Sequence, residues 1–127
     1  MNLQAPVDIE FALVEYLKAR LSVPVATKLG ASKNQVVLFT TGGSKATLVS
    51  GRPRVVFDCY GEREALAVNL ANQVWALVED LDCRLVGDAQ FYDVESTLPI
   101  NLPHPDKPDL FRRQFNSLIH TRHVRVS

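Results

Sequence analysis

The hydrophobic pattern of residues 53–81 predicts one strand followed by one long helix. In the first part, every second residue is apolar, which is typical of a strand with one face toward a core: Val55, Phe57, Cys59. Gly61 ends that pattern. Apolar residues then recur every three or four positions, the spacing of one buried helical stripe: Leu70, Ala71, Val74, Leu77, Val78, Leu81. The strand and the helix should pack on each other, since neither buries its apolar face alone.

A first helix is predicted from Asp8 to about Leu21. Asp8 follows the break at Pro6 and can cap the helix with its side chain. Helical spacing joins the apolar residues of this segment: Ile9, Leu13, Tyr16, Leu17, Leu21. This helix therefore also predicts a buried face.

Four further segments are predicted to be strands: residues 23–29, 36–41, 89–100 and 112–126. Pro24 restricts the first to a sheet edge or an irregular start, and a change in the alternation predicts a bulge or twist near Thr121 in the last. Residues 44–52 are predicted to form a polar loop between two strands. Residues 102–109 contain three prolines, so we expect a stiff, exposed segment that cannot continue a sheet.

The resulting order, α-β-β-β-α-β-β, predicts an α+β fold. Most links between strands are of hairpin length, which favours a mostly antiparallel sheet of four to five strands with two helices packed on one face. At 127 residues, the chain is expected to form a single domain, 1–127.

Composition and charge narrow the class of protein. The chain is 46% hydrophobic and 22% charged, values typical of a soluble globular protein. No run approaches the ~18 apolar residues of a membrane span, and the N-terminus lacks a signal-peptide pattern, so we expect a cytoplasmic site of synthesis and no membrane partner. The formal net charge is zero, which disfavours nonspecific nucleic-acid binding and suits self-association.

Metal and phosphate sites are weakly supported. His120 and His123 would point to opposite faces of a strand, and His104 would have to join them from the proline segment. The run from Gly42 to Lys45 lacks the spacing and order of a phosphate-binding loop, and no helix follows it. We therefore expect no metal and no cofactor.

The remaining reactive residues have ordinary structural explanations. Cys59 is expected to be a buried apolar residue, and Cys83 a second free thiol. Asp58 and Asp93 are interpreted as exposed-face carboxylates, although they could face each other across a sheet. Trp75 is expected to lie in the core or an interface. No GxSxG motif is present, so the spacing of the residues does not indicate a catalytic triad.

Two longer stretches resemble the tail terminator (tail completion) family of long-tailed bacteriophages. The first is RVVFDCYGEREALAVNLANQVWALVEDL, a strand with an aromatic-glycine end followed by a helix rich in Ala, Leu and Val. The second is LPINLPHPDKPDLFRRQFNSLIHTRHVRV, which is similar to the family's proline- and aspartate-bearing loop, arginine-aromatic step and terminal strand. The resemblance covers nearly the whole chain.

The resemblance implies a non-enzymatic α+β subunit that forms a ring, commonly six-fold, at the head-proximal end of the tail. Such a ring ends polymerisation of the tail tube and presents a surface to the head-tail connector, while DNA only passes through its lumen. Assembly would take place in the host cytoplasm. Candidate contact residues for a subunit or the tail tube lie in the polar loop and the proline segment: Lys45, Arg52, Arg54, His104, Asp106, Asp109.

Two alternatives remain open from the residues. One is a small cytoplasmic enzyme that uses His120 or His104 as an acid/base group. The other is a nucleic-acid-binding module with a patch of basic side chains: Lys45, Arg52, Arg54, Arg122, Arg125.

Overall fold

The computed structural model describes residues 3–126, which form two helices and nine strands. In chain order these are β1 (Gln4–Ala5), α1 (Ile9–Lys18), β2 (Val25–Ala26), β3 (Gln35–Thr47), β4 (Ser50–Gly61), α2 (Glu64–Glu79), β5 (Leu85–Val86), β6 (Ala89–Ser96), β7 (Ile100–Asn101), β8 (Phe111–Arg122) and β9 (Val124–Arg125). Neither helix is long and apolar enough to cross a membrane.

The main sheet has the strand order β2-β3-β4-β8-β6-β5, and β7 pairs with a further part of β8. All its pairs are antiparallel except β2 with β3, and β1 and β9 form a separate antiparallel pair. The sheet curls into half a barrel, and the predicted α+β class is confirmed. The five predicted strands correspond to β2, β3, β4, β6 and β8, and the additional strands have two residues each.

The core lies between the two helices and one face of the sheet. Phe57 on β4 stacks on Phe115 on β8, with ring centroids 4.8 Å apart. Both helices cover this face with fully buried side chains: Leu13 and Leu17 from α1, Val74 and Val78 from α2. Burying an aliphatic side chain of this size contributes about 1.5–3 kcal/mol, so this layer holds the sheet and helices together.

The first helix begins as its sequence predicts. The Asp8 side chain accepts a hydrogen bond from the backbone N–H of Phe11 at 3.1 Å. This cap satisfies one of the donors that a helix start leaves unpaired. The helix ends at Lys18, before the expected Leu21.

The prediction of a loop at residues 44–52 is wrong. The strands β3 and β4 continue through it, with Ser44 opposite Arg52 and Thr47 opposite Ser50, so that only Leu48 and Val49 separate the two strands at the tip. The ladder shifts register between Thr40 and Gly43, where the hairpin bends. This half of β3 could not be recognised from the sequence. Its side chains are nearly all exposed, so apolar and polar residues do not alternate along it.

Two other strand boundaries differ from the prediction. The segment 89–100 divides into β6 and β7, because Pro99 interrupts it. In the final strand Phe115, Ser117, Ile119 and Thr121 are all buried on one face, and the strand breaks at His123. The ladder is irregular near Thr121, but the extra residue lies on β6, between Phe91 and Val94.

Candidate functional site

The two ends of β8 carry different surfaces. At one end Arg122 lies opposite Ser50 of the β3–β4 hairpin, and at the other Arg112 lies opposite Tyr60. At about 3.3 Å per residue, the ten steps between these arginines span about 33 Å. The predicted contact residues divide between these ends. Lys45, Arg52 and Arg54 lie on the hairpin, and His104, Asp106 and Asp109 lie in the segment before β8.

The hairpin end, residues 42–54, is basic with an apolar tip. Leu48 at the tip is 85% exposed, and Val49 beside it is also exposed. Lys45 is exposed, Arg52 is half-buried, and neither is in ion-pair contact with any carboxylate of residues 3–126. Arg54 differs because it donates a hydrogen bond to Asn116 Oδ1 at 2.7 Å.

A cavity of about 580 Å³ lies between the start of α1 and the bent part of the hairpin, and we call it the hairpin cleft. The residues that line it are Pro6, Val7, Asp8, Ile9, Glu10, Thr40, Gly42, Gly43, Ser44, Lys45, Gly51, Arg52, Pro53, Thr121 and His123. Its volume is in the range of small-ligand pockets.

Both carboxylates of the hairpin cleft already have partners. Asp8 caps α1, and Glu10 Oε2 accepts hydrogen bonds from Thr40 N at 2.9 Å and from Thr40 Oγ1 at 3.3 Å. Lys45 and Arg52 make no ion pair within residues 3–126, so both cations are available to a partner. The part of β3 that lines the cleft, from Thr40 to Lys45, lies beyond the two residues that pair with β2, Val36 and Val37.

The opposite end of β8 carries the proline segment, residues 102–110. Leu102 and Arg112 hold its base. Leu102 N–H donates to the Arg112 carbonyl at 3.1 Å, and Arg112 Nε donates to the Leu102 carbonyl at 2.6 Å. Within the segment, Asp106 N–H donates to His104 Nδ1 at 3.0 Å. Both Asp106 and Asp109 are exposed, and no cation of the described chain is in ion-pair contact with them.

Exposed apolar side chains surround the base of the proline segment. Leu98, Ile100, Leu102 and Phe111 are all exposed, and Leu98 is 73% exposed. Ile100 lies on β7, and Leu98 and Leu102 flank this short strand. Large exposed apolar groups next to one another often mark contact sites.

Asp58 is buried, which corrects the expectation of an exposed carboxylate. It is 4% exposed, lies 3.6 Å from Arg112 Nη1, and accepts a hydrogen bond from Gln114 Nε2 at 2.7 Å. Asp58 does not face Asp93, since the first is opposite Gln114 on β8 and the second contacts His120. Asp58 is therefore part of the anchor that holds the proline segment. Burial, followed by the Asp58 charge, raises the pKa of the neighbouring Tyr60 against the effect of Arg112.

His120 also has partners that the sequence did not indicate. Its Nδ1 lies 2.9 Å from Asp93 Oδ1, and its Nε2 lies 2.9 Å from Ser50 Oγ. These are the contacts of a Ser-His-Asp triad. However, Ser50 is only 3% exposed, and its hydroxyl also bonds to Thr47 Oγ1 at 2.7 Å. The arrangement therefore links β4, β6 and β8 through a hydroxyl that is buried.

The histidines do not converge. His123 lies in the hairpin cleft beside Gly51. His120 lies on the face of β8 opposite to that of its buried neighbours Ile119 and Thr121. His104 lies near Tyr60, with ring centroids 6.2 Å apart. Residues 3–126 contain no group of three or more His, Cys, Asp or Glu side chains arranged to hold a metal ion.

Cys59 and Trp75 have structural roles. Cys59 is buried, and this burial raises the pKa of its thiol. Trp75 is half-buried, and its indole N–H donates to the Thr97 carbonyl at 3.0 Å. The indole therefore connects α2 to the stretch that leads into β7.

No protein-family model matches this sequence, and no curated protein matches it. Among solved structures, a chain of the virion of native gene transfer agent (GTA) particle has a similar fold, with a TM-score of 0.63. The match covers 93% of this chain and 95% of that one at 14% sequence identity. At this identity the similarity establishes the shared fold.

Proposed function

We propose that this chain is a structural component of a phage-like virion, and that it acts as a tail terminator. The observation that carries the proposal is the shared fold with a chain of a gene transfer agent virion over 93% of the sequence. The resemblance of residues 54–81 and 98–126 to the tail terminator family supports the finer assignment. In this role the chain forms a ring, most simply a hexamer, on the head-proximal end of the tail.

The surfaces at the two ends of β8 could serve as the two contact patches that each subunit of a head-to-tail ring needs. Such a ring requires two different contact patches on each subunit, because each copy meets one neighbour with one patch and the other neighbour with the second. The basic hairpin end and the proline segment differ in charge and shape, and they are separated by the length of β8. Each subunit therefore offers two distinct surfaces to its neighbours.

The chemistry of the surface favours assembly over catalysis. Ser50 and His120 have the contacts of a triad without an accessible nucleophile, and Cys59 is a buried thiol. Exposed apolar residues instead lie at both ends of β8, where contact with a partner would bury them. Ring formation, contact with the tail tube and contact with the head-tail connector would all use such surfaces, and no cofactor is needed. DNA would only pass through the lumen.

The first test is light scattering on a sizing column over a concentration series, followed by negative-stain imaging of any large species. We expect a discrete ring of one size, either alone or once tail-tube protein is added. The second arm adds the purified chain to polymerising tail-tube protein and measures tube length. Capped, shorter tubes support a terminator. Tubes of unchanged length, with no ring bound at their ends, would rule it out.

A control variant separates assembly from folding. Leu48 is 85% exposed at the tip, so Leu48→Asp should leave the thermal unfolding midpoint unchanged while it weakens the ring or its contact with the tube. If Leu48→Asp assembled and capped tubes as well as the wild type, the hairpin tip would not be a contact surface.

A further inference from the structure

The geometry points to a specific pairing between neighbouring copies: the hairpin cleft of one subunit binds the proline segment of the next. This inference rests on the ring proposed above and states which surfaces form its subunit contact. The charged side chains that would meet, Lys45 and Arg52 on one surface and Asp106 and Asp109 on the other, form no ion pair within residues 3–126.

The cleft favours an acidic, apolar occupant. Its wall includes Pro6, Val7 and Pro53, which offer apolar surface. Lys45 and Arg52 are its uncommitted charges, because Asp8 and Glu10 are engaged by Phe11 and Thr40. The formal charges of the cleft balance, but its carboxylates are occupied by hydrogen bonds while Lys45 and Arg52 make no ion pair within residues 3–126, so its apolar walls lie next to two cations available to an acidic group.

The proline segment has the complementary chemistry. Its carboxylates, Asp106 and Asp109, are exposed and outnumber its one cation, Lys107. Three prolines restrict its backbone, so it loses little conformational entropy when it binds. Proline-rich segments bind grooves elsewhere for this reason.

The fold prevents a subunit from filling its own cleft. The cleft lies at the Arg122 end of β8, and the proline segment is fixed to the Arg112 end, about 33 Å away. Each copy can therefore give its segment to one neighbour and receive a segment from another. Repetition of that contact produces a head-to-tail assembly, which closes when the rotation between subunits divides a full circle.

The test uses two charge-reversal variants of the full chain. The cleft variant carries Lys45→Glu with Arg52→Glu, and the segment variant carries Asp106→Lys with Asp109→Lys. We expect each alone to lose at least tenfold in self-association constant, because like charges then meet at every contact. An equimolar mixture should regain rings of wild-type size. The intact segment of the cleft variant matches the intact cleft of the segment variant, and the two reversed surfaces also match each other. Sedimentation velocity at low salt measures both effects.

Two controls address folding and nonspecific charge effects. Lys18→Glu with Lys28→Glu makes the same change in net charge at exposed positions outside the cleft and should assemble as the wild type does. A chain that carries all four reversals restores complementarity within one sequence and should form rings. Circular dichroism confirms that every variant folds.

The outcomes distinguish the pairing from the function. If the wild type forms rings and both variants assemble equally well, the pairing is wrong and the proposed function stands. If only the cleft variant fails, or if the mixture does not recover, the cleft binds a different partner and the pairing is again wrong. A wild-type chain that forms no ring, with or without tail tubes, would overturn both.

Discussion

Arg112 on β8 joins the buried Asp58 on β4 to the base of the proline segment. Its Nη1 lies 3.6 Å from the Asp58 carboxylate, and its Nε donates to the Leu102 carbonyl at 2.6 Å. One guanidinium therefore neutralises a buried charge and fixes the position of an exposed segment. Stability and surface geometry depend on the same side chain.

Arg112→Ala should lower the free energy of unfolding by about 3–5 kcal/mol, because it leaves the Asp58 carboxylate buried without its cation. Arg113→Ala is the matched control. Arg113 is the next residue, and its ion pair with Glu64 involves a carboxylate side chain that is 62% exposed. Its loss should change stability by about 1 kcal/mol or less. Urea unfolding measures both values, and equal effects would contradict the role assigned to Arg112.

Gly43→Ala should destabilise the hairpin strongly. Gly43 has a φ of +127°, and an added Cβ would lie 2.2 Å from the Arg52 carbonyl oxygen. We expect a loss of about 3 kcal/mol or more, since backbone on both strands would have to move. Gly87→Ala is the control, because Gly87 also has a positive φ but open space around its Cβ position. That change should cost about 1–2 kcal/mol. Thermal unfolding of the two variants would show the difference.

The two cysteines should differ in their reaction with a thiol reagent. Cys83 is exposed, whereas Cys59 is buried and its pKa is raised by that burial. At pH 8 the native chain should therefore react at Cys83 only, and Cys59 should react after unfolding. Cys83→Ser should abolish the reaction of the native chain. A second native thiol that reacts equally fast would show that Cys59 is accessible.

The stability of the fold should decrease at alkaline pH. Burial raises the pKa values of Cys59, Tyr16 and Tyr60, so the folded chain retains protons that the unfolded chain releases. The unfolded values are about 8.5 for Cys and 10 for Tyr. The stabilisation is therefore complete below about pH 8.5 and declines as the pH rises above it. Urea unfolding at pH 7, 9 and 10 tests this, and Cys59→Ala should remove the part of the decline that begins first.

Ser50→Ala should affect stability and no chemical activity. It removes the hydroxyl between His120 and Thr47, which should cost about 1–2 kcal/mol. Ser44→Ala, at an exposed position of the same hairpin, should change stability by about 0.5 kcal/mol or less. The wild type and Ser50→Ala should hydrolyse an activated ester at the same rate. Faster hydrolysis by the wild type would show that Ser50 takes part in a reaction and would support the enzymatic alternative.

Elements with a strong local pattern could be predicted from the sequence. Asp8 and the apolar stripe that follows it locate α1, and the change from a two-residue to a three-and-four-residue period at Gly61 separates β4 from α2. These signals depend on near neighbours in sequence, and one buried face is enough to produce them.

Features that depend on strand register could not be predicted in the same way. The second half of β3 is held by its hydrogen bonds to β4 and has exposed side chains on both faces, so its pattern is that of a loop. The burial of Asp58 depends on Arg112, and the bonds of His120 depend on Ser50, 70 residues earlier in the chain. Two sets of candidate contact residues were identifiable from their charge, but only the fold places them at opposite ends of β8.

The central position of β8 also determines when the sheet can form. β4, β6 and β7 all pair with β8, although β8 follows them in the chain, and the contact of Arg54 with Asn116 spans 62 residues. Such distant pairing slows folding, because bringing β8 to β4 closes a long loop of intervening chain, and this costs conformational entropy. During synthesis, the edges of β4, β6 and β7 that pair with β8 remain unpaired until β8 has been made. A product truncated before residue 111 would therefore lack the strand with which β4, β6 and β7 pair, and it would be unable to complete the sheet.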